Sequence, residues 1–499
     1  MFVFQEDELD NILDIVITNM RPQRSASQKP VPANLLFLSA RYAHYHASPE
    51  LLAKLLMSAT DRINDVVEKH QWDMTILAFW ISNATLLLHY LRKDGELVHS
   101  TVDFQIHLAE LINEIFILII RDAERRMDKF LDTAMLDHET IPGFEDVHFQ
   151  NEWKIFRSKT KVKEEPPEKR YRPPSPKKRA EVAPRNITSL LASTLFVLDL
   201  YDVHSVITAQ ILAQLFFWLG SELFNRIMTT KRYLARTKAM QIRMNVSALE
   251  DWARANNRQP EHYENGMSKS TGEGTVDAAR KHLGPVVELL QWLQCFSSLG
   301  DDVDSMIMTL RQFQRLTPKQ LLHAVKGYRP EVGEKGLPKS AMKFLLSLPN
   351  DPLQLQQALY PPPAEPAETE AQTAPAGSTD NNDKTKKEAT PTTPQTTEKP
   401  ETSGTPTDSS SSAAAASTTT TTTAKPPPSP AAPPQQRTDT KSENTSVLLD
   451  PSLTLPFSLP TSTDMLISYG AGFGGVNRER ERKYIPTVPT EFLSKLDRS

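Results

Sequence analysis

Across residues 203–257 the apolar positions fall three and four apart: Val206, Ile207, Ile211, Leu212, Leu215, Phe216, Leu219, Leu223 and Ile227. On a helix that spacing lines one side. Phe217 and Trp218 widen the stripe beyond what one neighbour covers. The pattern therefore predicts a long core helix gripped by several others in an all-helical body. Ser247-Ala-Leu-Glu250 has the form of a capping box, in which the serine and glutamate side chains satisfy each other's backbone amides. A new helix carrying Leu249 and Trp252 is predicted to start there.

The same periodicity recurs along the chain. Residues 7–20 read as a short amphipathic helix stopped at Arg21-Pro22, more like the edge of a fragment than a natural beginning. Residues 34–46 carry a face of Leu35, Leu38, Tyr42 and Tyr45. Ser48-Pro49 caps and opens a helix with Leu52, Leu55, Leu56, Ala59, Ile63, Val66 and Val67 on one side. Residues 74–92 form a dense apolar helix that stops at Lys93-Asp94-Gly95. Residues 98–131 continue as one or two helices, and 146–156 add Trp153 and Phe156. After Asn186 come Leu190, Leu191, Thr194, Leu195 and Leu198 on one side. Residues 278–296 read as a single helix, Thr317-Pro318 caps one running to Gly327, and a last one lies between Pro338 and Pro349. The expected fold class is all-α, an elongated multi-helix bundle over residues 1–349.

Composition changes this picture in four places. Residues 157–185 have no apolar periodicity, many charges and five prolines before Ala180, and read as an exposed, disordered insert within the bundle. Residues 259–276 read as a polar loop. Residues 360–445 are Pro, Thr, Ser and Ala, and cannot bury enough apolar surface to offset the entropy of ordering. From Met465 aromatic and aliphatic residues return, so 465–499 are expected to fold back onto the bundle or to dock elsewhere. With 38 prolines against 17 glycines, much of the chain is linker.

The order QLFFWLGSELFNRIM (214–228), then KAMQIRMNVSALEDWAR (238–254), resembles the dilute (DIL) domain in the cargo-binding globular tail of class V myosins, of the kind found in fungi. LFLSARYAHY (36–45) and FWISN (79–83), with Leu88-His89-Tyr90-Leu91 after them, resemble the first part of the same region, and the three elements from 278 to 349 its closing helices. The resemblance implies a binding module for organelle or vesicle receptors; DIL domains also occur in junction and small-GTPase adaptors. Relatives of these kinds carry motor, coiled-coil or Ras-association domains, and fungal ones ankyrin repeats upstream. None of these is visible in this sequence, which resembles the tail without the motor.

Candidate chemistry is sparse. The formal net charge of −4 gives no global attraction to nucleic acid or anionic lipid. A single cysteine, Cys295, excludes an intrachain disulfide framework and a cysteine-cluster zinc site and fits a reducing, intracellular compartment. It lacks a flanking catalytic motif, and His282 lies too far along the chain to imply a nucleophile pair. His44 and His46, two apart on a helix, point to nearly opposite sides and do not suggest a shared metal. Gly470, Gly472 and Gly475 satisfy G-x-G-x-x-G, but too little chain follows for a dinucleotide-binding unit. No phosphate loop ending in Lys-Ser/Thr is present. The apolar runs 106–120 and 206–219 are interrupted by polar residues, including Gln210 and Gln214, and are read as buried helices rather than membrane spans.

Two basic groups remain. Ser175-Pro176 followed by Lys177-Lys178-Arg179 is a candidate phosphosite at Ser175 or an import signal, diluted by neighbouring glutamates. Arg226, Lys231, Arg232, Arg236, Lys238 and Arg243 gather at the end of the central helix, where they complement its dipole and form a candidate docking patch for acidic adaptor peptides or phosphorylated tails. The expected protein is a cytoplasmic, non-enzymatic adaptor without cofactor or metal. It would be peripheral to organelles or sites of polarised growth and link cargo, polarity or cytoskeletal factors. The alternative is a small-GTPase effector scaffold, distinguished by binding only the triphosphate state.

Overall fold

The computed structural model describes residues 1–142, 144, 147, 149–150, 181–258, 261–264, 267–270, 273–300, 302–360, 447–460, 465–469, 478–482 and 485–496. The chain divides into two compact units, Met1–Pro362 with Thr445–Ser499, and Pro363–Asn444. All described residues belong to the first.

That unit is all-α. Its helices in chain order are α1 (Leu9–Leu13), α2 (Val31–His46), α3 (Pro49–Lys69), α4 (Met74–Lys93), α5 (Leu97–Ser100), α6 (Val102–Leu131), α7 (Pro184–Leu200), α8 (Ser205–Thr229), α9 (Arg236–Ala255), α10 (Thr275–His282), α11 (Gly284–Cys295), α12 (Val303–Leu310), α13 (Pro318–Gly327), α14 (Lys339–Ser347), α15 (Pro352–Leu359) and α16 (Thr490–Leu496). Two antiparallel hairpins accompany them: β1 (Glu261–Glu264) with β2 (Met267–Ser270), and β3 (Met465–Tyr469) with β4 (Arg478–Arg482).

The helix α8 is the core element that its apolar pattern predicts. Of its 25 residues 19 are buried, and α6, α10, α11 and α13 surround it. Trp218 is buried and Phe217 lies edge-on to the His282 ring, so the widened stripe has a partner on each flank. Halfway along, a Cβ on Gly220 would sit 2.1 Å from the His282 carbonyl oxygen, so only glycine lets α8 and α10 approach this closely. Both α4 and α8 are long and apolar enough to cross a bilayer by composition. Yet 78% of the apolar window of α4 and 83% of that of α8 lie inside the fold, which makes them core helices.

The structure departs from expectation at several joints. The break after α8 falls at Thr230–Ala235, not at Ser247: α9 runs straight through Ser247, whose hydroxyl donates to the Met244 carbonyl. Its buried stripe of Ala239, Ile242, Val246, Leu249 and Ala253 keeps phase across that position, so burial overrides the capping signal. Residues 278–296 form two helices because Gly284-Pro285 opens a new one. The range 259–276 holds the β1–β2 hairpin and the start of α10. The sequence between its strands is Asn265-Gly266, a pair that two-residue hairpin connections favour. Helix α7 begins at Pro184, inside the expected insert 157–185, with the Ala183 amide donating to the Asn186 side chain. Residues 157–180 of that insert, 151–156 of the element expected over 146–156 with its Trp153 and Phe156, and 361–446 lie outside the described residues. In the run 106–120 most side chains are buried, but Ile106 is 53% exposed.

Candidate functional site

At 100° per residue, Gln210, Gln214 and Asn225 fall within about 60° of one another around α8. All three carboxamides grip the backbone of one segment, residues 447–459, which turns at Pro451–Ser452, is extended after that turn, and runs antiparallel to the helix. Asn225 accepts from the Leu449 amide at 2.9 Å and donates to the Leu449 carbonyl at 2.8 Å. Gln214 accepts from the Leu455 amide at 2.8 Å and donates to the Leu453 carbonyl at 3.0 Å. Gln210 accepts from the Ser458 amide at 2.8 Å and donates to the Ser458 carbonyl at 2.9 Å. Gln320 on α13 continues the row by donating to the Val447 carbonyl at 3.0 Å.

A carboxamide has one donor end and one acceptor end, so in this use it takes the place of a neighbouring β-strand. It reads backbone and leaves the side chains of the segment, here called the strap, to be selected separately. Along the strap Val447, Leu449, Leu455, Phe457 and Leu459 are half-buried, while Leu448, Asp450 and Ser458 are exposed. The Phe457 ring stacks on the buried Phe116 of α6 with centroids 4.3 Å apart. Farther on, the Asn34 side chain donates to the Thr487 carbonyl and Phe492 of α16 is buried. The contacts of this end of the chain thus begin at Val447, well before Met465.

Sequence reasoning missed this seat. Gln210 and Gln214 registered only as interruptions of an apolar run. The available signal was the alternation Val447-x-Leu449 and Leu455-x-Phe457-x-Leu459, the period of a half-buried extended segment.

The basic residues from Arg226 onward, at the C-terminal end of α8 and beyond it, have a different fate. Arg226 bonds Asp128 at 2.5 Å, Asp132 at 2.8 Å and Glu222 at 3.1 Å. Arg232 reaches Asp137 at 3.1 Å, Lys238 reaches Glu139 at 3.0 Å, Arg243 reaches Glu250 at 3.0 Å, and Arg236 lies 3.9 Å from Glu334. Lys231 alone of the six has no acidic partner among the described residues. Four of these carboxylates come from the end of α6 and the turns after it, so the cluster ties that end to the α8–α9 corner. Nearby Glu124 is pushed up to about 7, chiefly by burial, with the Glu222 charge adding and Arg121 opposing.

Of the remaining candidates, burial pushes the Cys295 thiol up to about 11, which leaves it protonated at neutral pH and poor as a nucleophile. His46 stacks on Tyr42 and His44 packs on Tyr45. No group of three His, Cys, Asp or Glu among the described residues is placed to hold a metal ion. Ser175 and the glycines 470, 472 and 475 lie outside the described residues.

The family model of the DIL domain matches residues 210–332. Residues 210–332 form a DIL domain. A dilute domain-containing protein of Schizosaccharomyces pombe is 35% identical to this chain over 356 residues, covering 69% of the chain and 58% of that protein. Human unconventional myosin-Va is 24% identical over 349 residues, covering 66% of the chain and 17% of the myosin. The chain therefore spans less than two thirds of either relative. Among solved structures, a yeast myosin 5 cargo binding domain superposes with a TM-score of 0.48 at 14% identity, covering 71% of the chain and 86% of that domain. The DIL range opens at Gln210 and contains Gln214, Asn225 and Gln320, so every carboxamide that holds the strap belongs to the DIL domain.

Proposed function

We propose that this chain is a non-enzymatic protein-binding adaptor that receives extended segments of partner proteins and links organelle or vesicle cargo with polarity or cytoskeletal factors. The observation that carries the reading is the strap's seat: three carboxamides of the DIL domain hold an extended peptide by its backbone, with an aromatic anchor beside them. The DIL match and the likeness to unconventional myosin-Va support the same direction. Such an adaptor would work in the cytoplasm, at the surface of the structures it connects.

Panning the full-length chain against a random-peptide library tests the proposal. Recovered peptides are expected to share apolar residues at alternating positions and to crosslink to α6 or α8. Recovery of no saturable binder would remove the adaptor reading. Binding to a small GTPase only in its triphosphate state would replace it with an effector role.

A further inference from the structure

Beside the strap lies an open groove of about 870 Å³ with no occupant among the described residues. Its floor is the first half of α6, where Val102, Ile106, Ala109, Asn113 and Ile117 fall within about 80° of one another. Val102 is 51% and Ile106 53% exposed, so the apolar face continues outward past the buried Phe116 that anchors the strap. One wall is the strap itself, at Thr454, Leu455, Phe457 and Leu459, and Arg92 from α4 also lines the groove.

Of the polar side chains around the groove, Gln105 is committed, donating to the Val98 carbonyl at 3.0 Å and the Thr101 hydroxyl at 3.1 Å; three others are not. Arg92, Glu110 and Asn113 have no hydrogen-bond or ion-pair partner among the described residues, and neither do the backbone groups of Thr454 and Phe457. Asn113 offers on the α6 floor the same carboxamide that Gln210, Gln214 and Asn225 offer on α8. An extended backbone laid between Asn113 and the strap would therefore meet a half-used strand on one side and an amide on the other. From Val102 to Ile117 the floor measures about 22 Å at 1.5 Å per helical residue, room for six or seven residues at about 3.3 Å each.

We infer that this groove binds an extended segment of a partner protein, six or seven residues long, aliphatic at alternating positions, with a carboxylate for Arg92 and a cation for Glu110. The inference rests on reading the chain as a receptor for extended segments and adds where such a segment goes: alongside the strap, which stays in place. The strap fills the α8 row, so the added segment extends an interface that already exists.

Fluorescence anisotropy on the full-length chain tests this with a fluorescein-labelled heptapeptide, Asp-Val-Thr-Leu-Lys-Val-Thr, and the same residues in reverse order. One order is expected to bind with a Kd of roughly 10–100 μM. Ile106→Asp, a substitution at an exposed site, should weaken it at least about tenfold without moving the melting temperature. Arg92→Glu should weaken it too, and a peptide with Lys in place of Asp should restore binding to that variant. Amide exchange at Leu455 and Ser458 should be unchanged by the peptide.

Absence of saturable binding by either order up to about 1 mM overturns the assignment. So does binding that ignores Ile106→Asp, since the segment then lies elsewhere. Loss of protection at Leu455 and Ser458 would mean that the peptide takes the strap's seat, and a peptide-free dimer that buries Ile106 would mean that a second copy covers the groove. If library-selected peptides bind but ignore Ile106 and Arg92, the groove fails and the adaptor reading stands. If neither selected nor designed peptides bind, both fail.

Discussion

The amide-bearing face of α8 and the basic corner that begins at Arg226, the residue after Asn225, carry opposite lessons about which side chains hold a chain segment. On that face Gln210, Gln214 and Asn225, all uncharged, together make six hydrogen bonds to the backbone of the strap. At the corner, Arg226 and its basic neighbours engage carboxylates from the same unit. The difference is one of availability. A guanidinium near a carboxylate gains charge-assisted bonds and holds them, and the end of α6 and the turns after it supply Asp128, Asp132, Asp137 and Glu139 within reach. A carboxamide on a helix surface has no such claimant, and its two ends match the repeating donor and acceptor of an extended backbone. An acidic peptide approaching the basic corner would find only Lys231 uncommitted among the six.

The largest expected effect comes from breaking the amide row. Gln214→Ala combined with Asn225→Ala removes four hydrogen bonds to the strap, worth about 3–4 kcal/mol together. Amide protection at Leu449 and Leu455 should fall by roughly a hundredfold or more, while the unfolding midpoint of the helical body moves little, because the strap opens locally. Hydrogen exchange read by mass spectrometry distinguishes the two. Unchanged protection would show that Phe457 and its aliphatic neighbours hold the strap without the amides.

How much of this was legible in the sequence follows from the same contrast. The core helix was legible because Val206 to Ile227 repeat at a helical period that only burial explains, and the caps at Ser48 and Thr317 sit where their residues placed them. The joint at Ser247 was misplaced because a local capping signal competes with tertiary burial, and only the packed fold decides between them. The amide row was not legible because nothing about a glutamine on a helix announces a backbone more than two hundred residues away. Its partner signal, alternation over a few residues after a long Pro/Thr/Ser tract, is short enough to pass as linker.

A smaller effect is expected at the basic corner. Arg226→Met leaves Asp128, Asp132 and Glu222 without their shared cation. The site is partly buried, between the exposed regime, where a pair is worth under about 1 kcal/mol, and the buried one, where breaking it costs about 3–5 kcal/mol. A loss near 2 kcal/mol in chemical denaturation is expected, with strap protection unchanged. Lys231→Met serves as the contrast and should move stability by less than about 0.5 kcal/mol. Equal effects from the two substitutions would show that the ion pairs contribute nothing to holding the corner.

The smallest effect depends on pH and joins the corner to α6 through Glu222. Glu124 has a folded pKa near 7 against an ordinary value of 4.5, so between those limits the folded chain holds a proton that the unfolded chain has released. Stability contributed at this site therefore rises as pH falls from about 7 to about 4.5, and above 7 the buried charge works against folding. Glu124→Gln removes the titration. Urea denaturation should find the variant more stable than the parent at pH 8, with the advantage gone by pH 4.5. Asp199, which burial pushes up to about 6, and His282, which burial pushes down to about 4, titrate in both proteins and cancel in the difference. Because the Glu222 charge that raises Glu124 is paired with Arg226, removing the arginine should enlarge the advantage of Glu124→Gln at pH 8. Additive behaviour of the two substitutions would show that the corner and the α6 carboxylate do not sense each other.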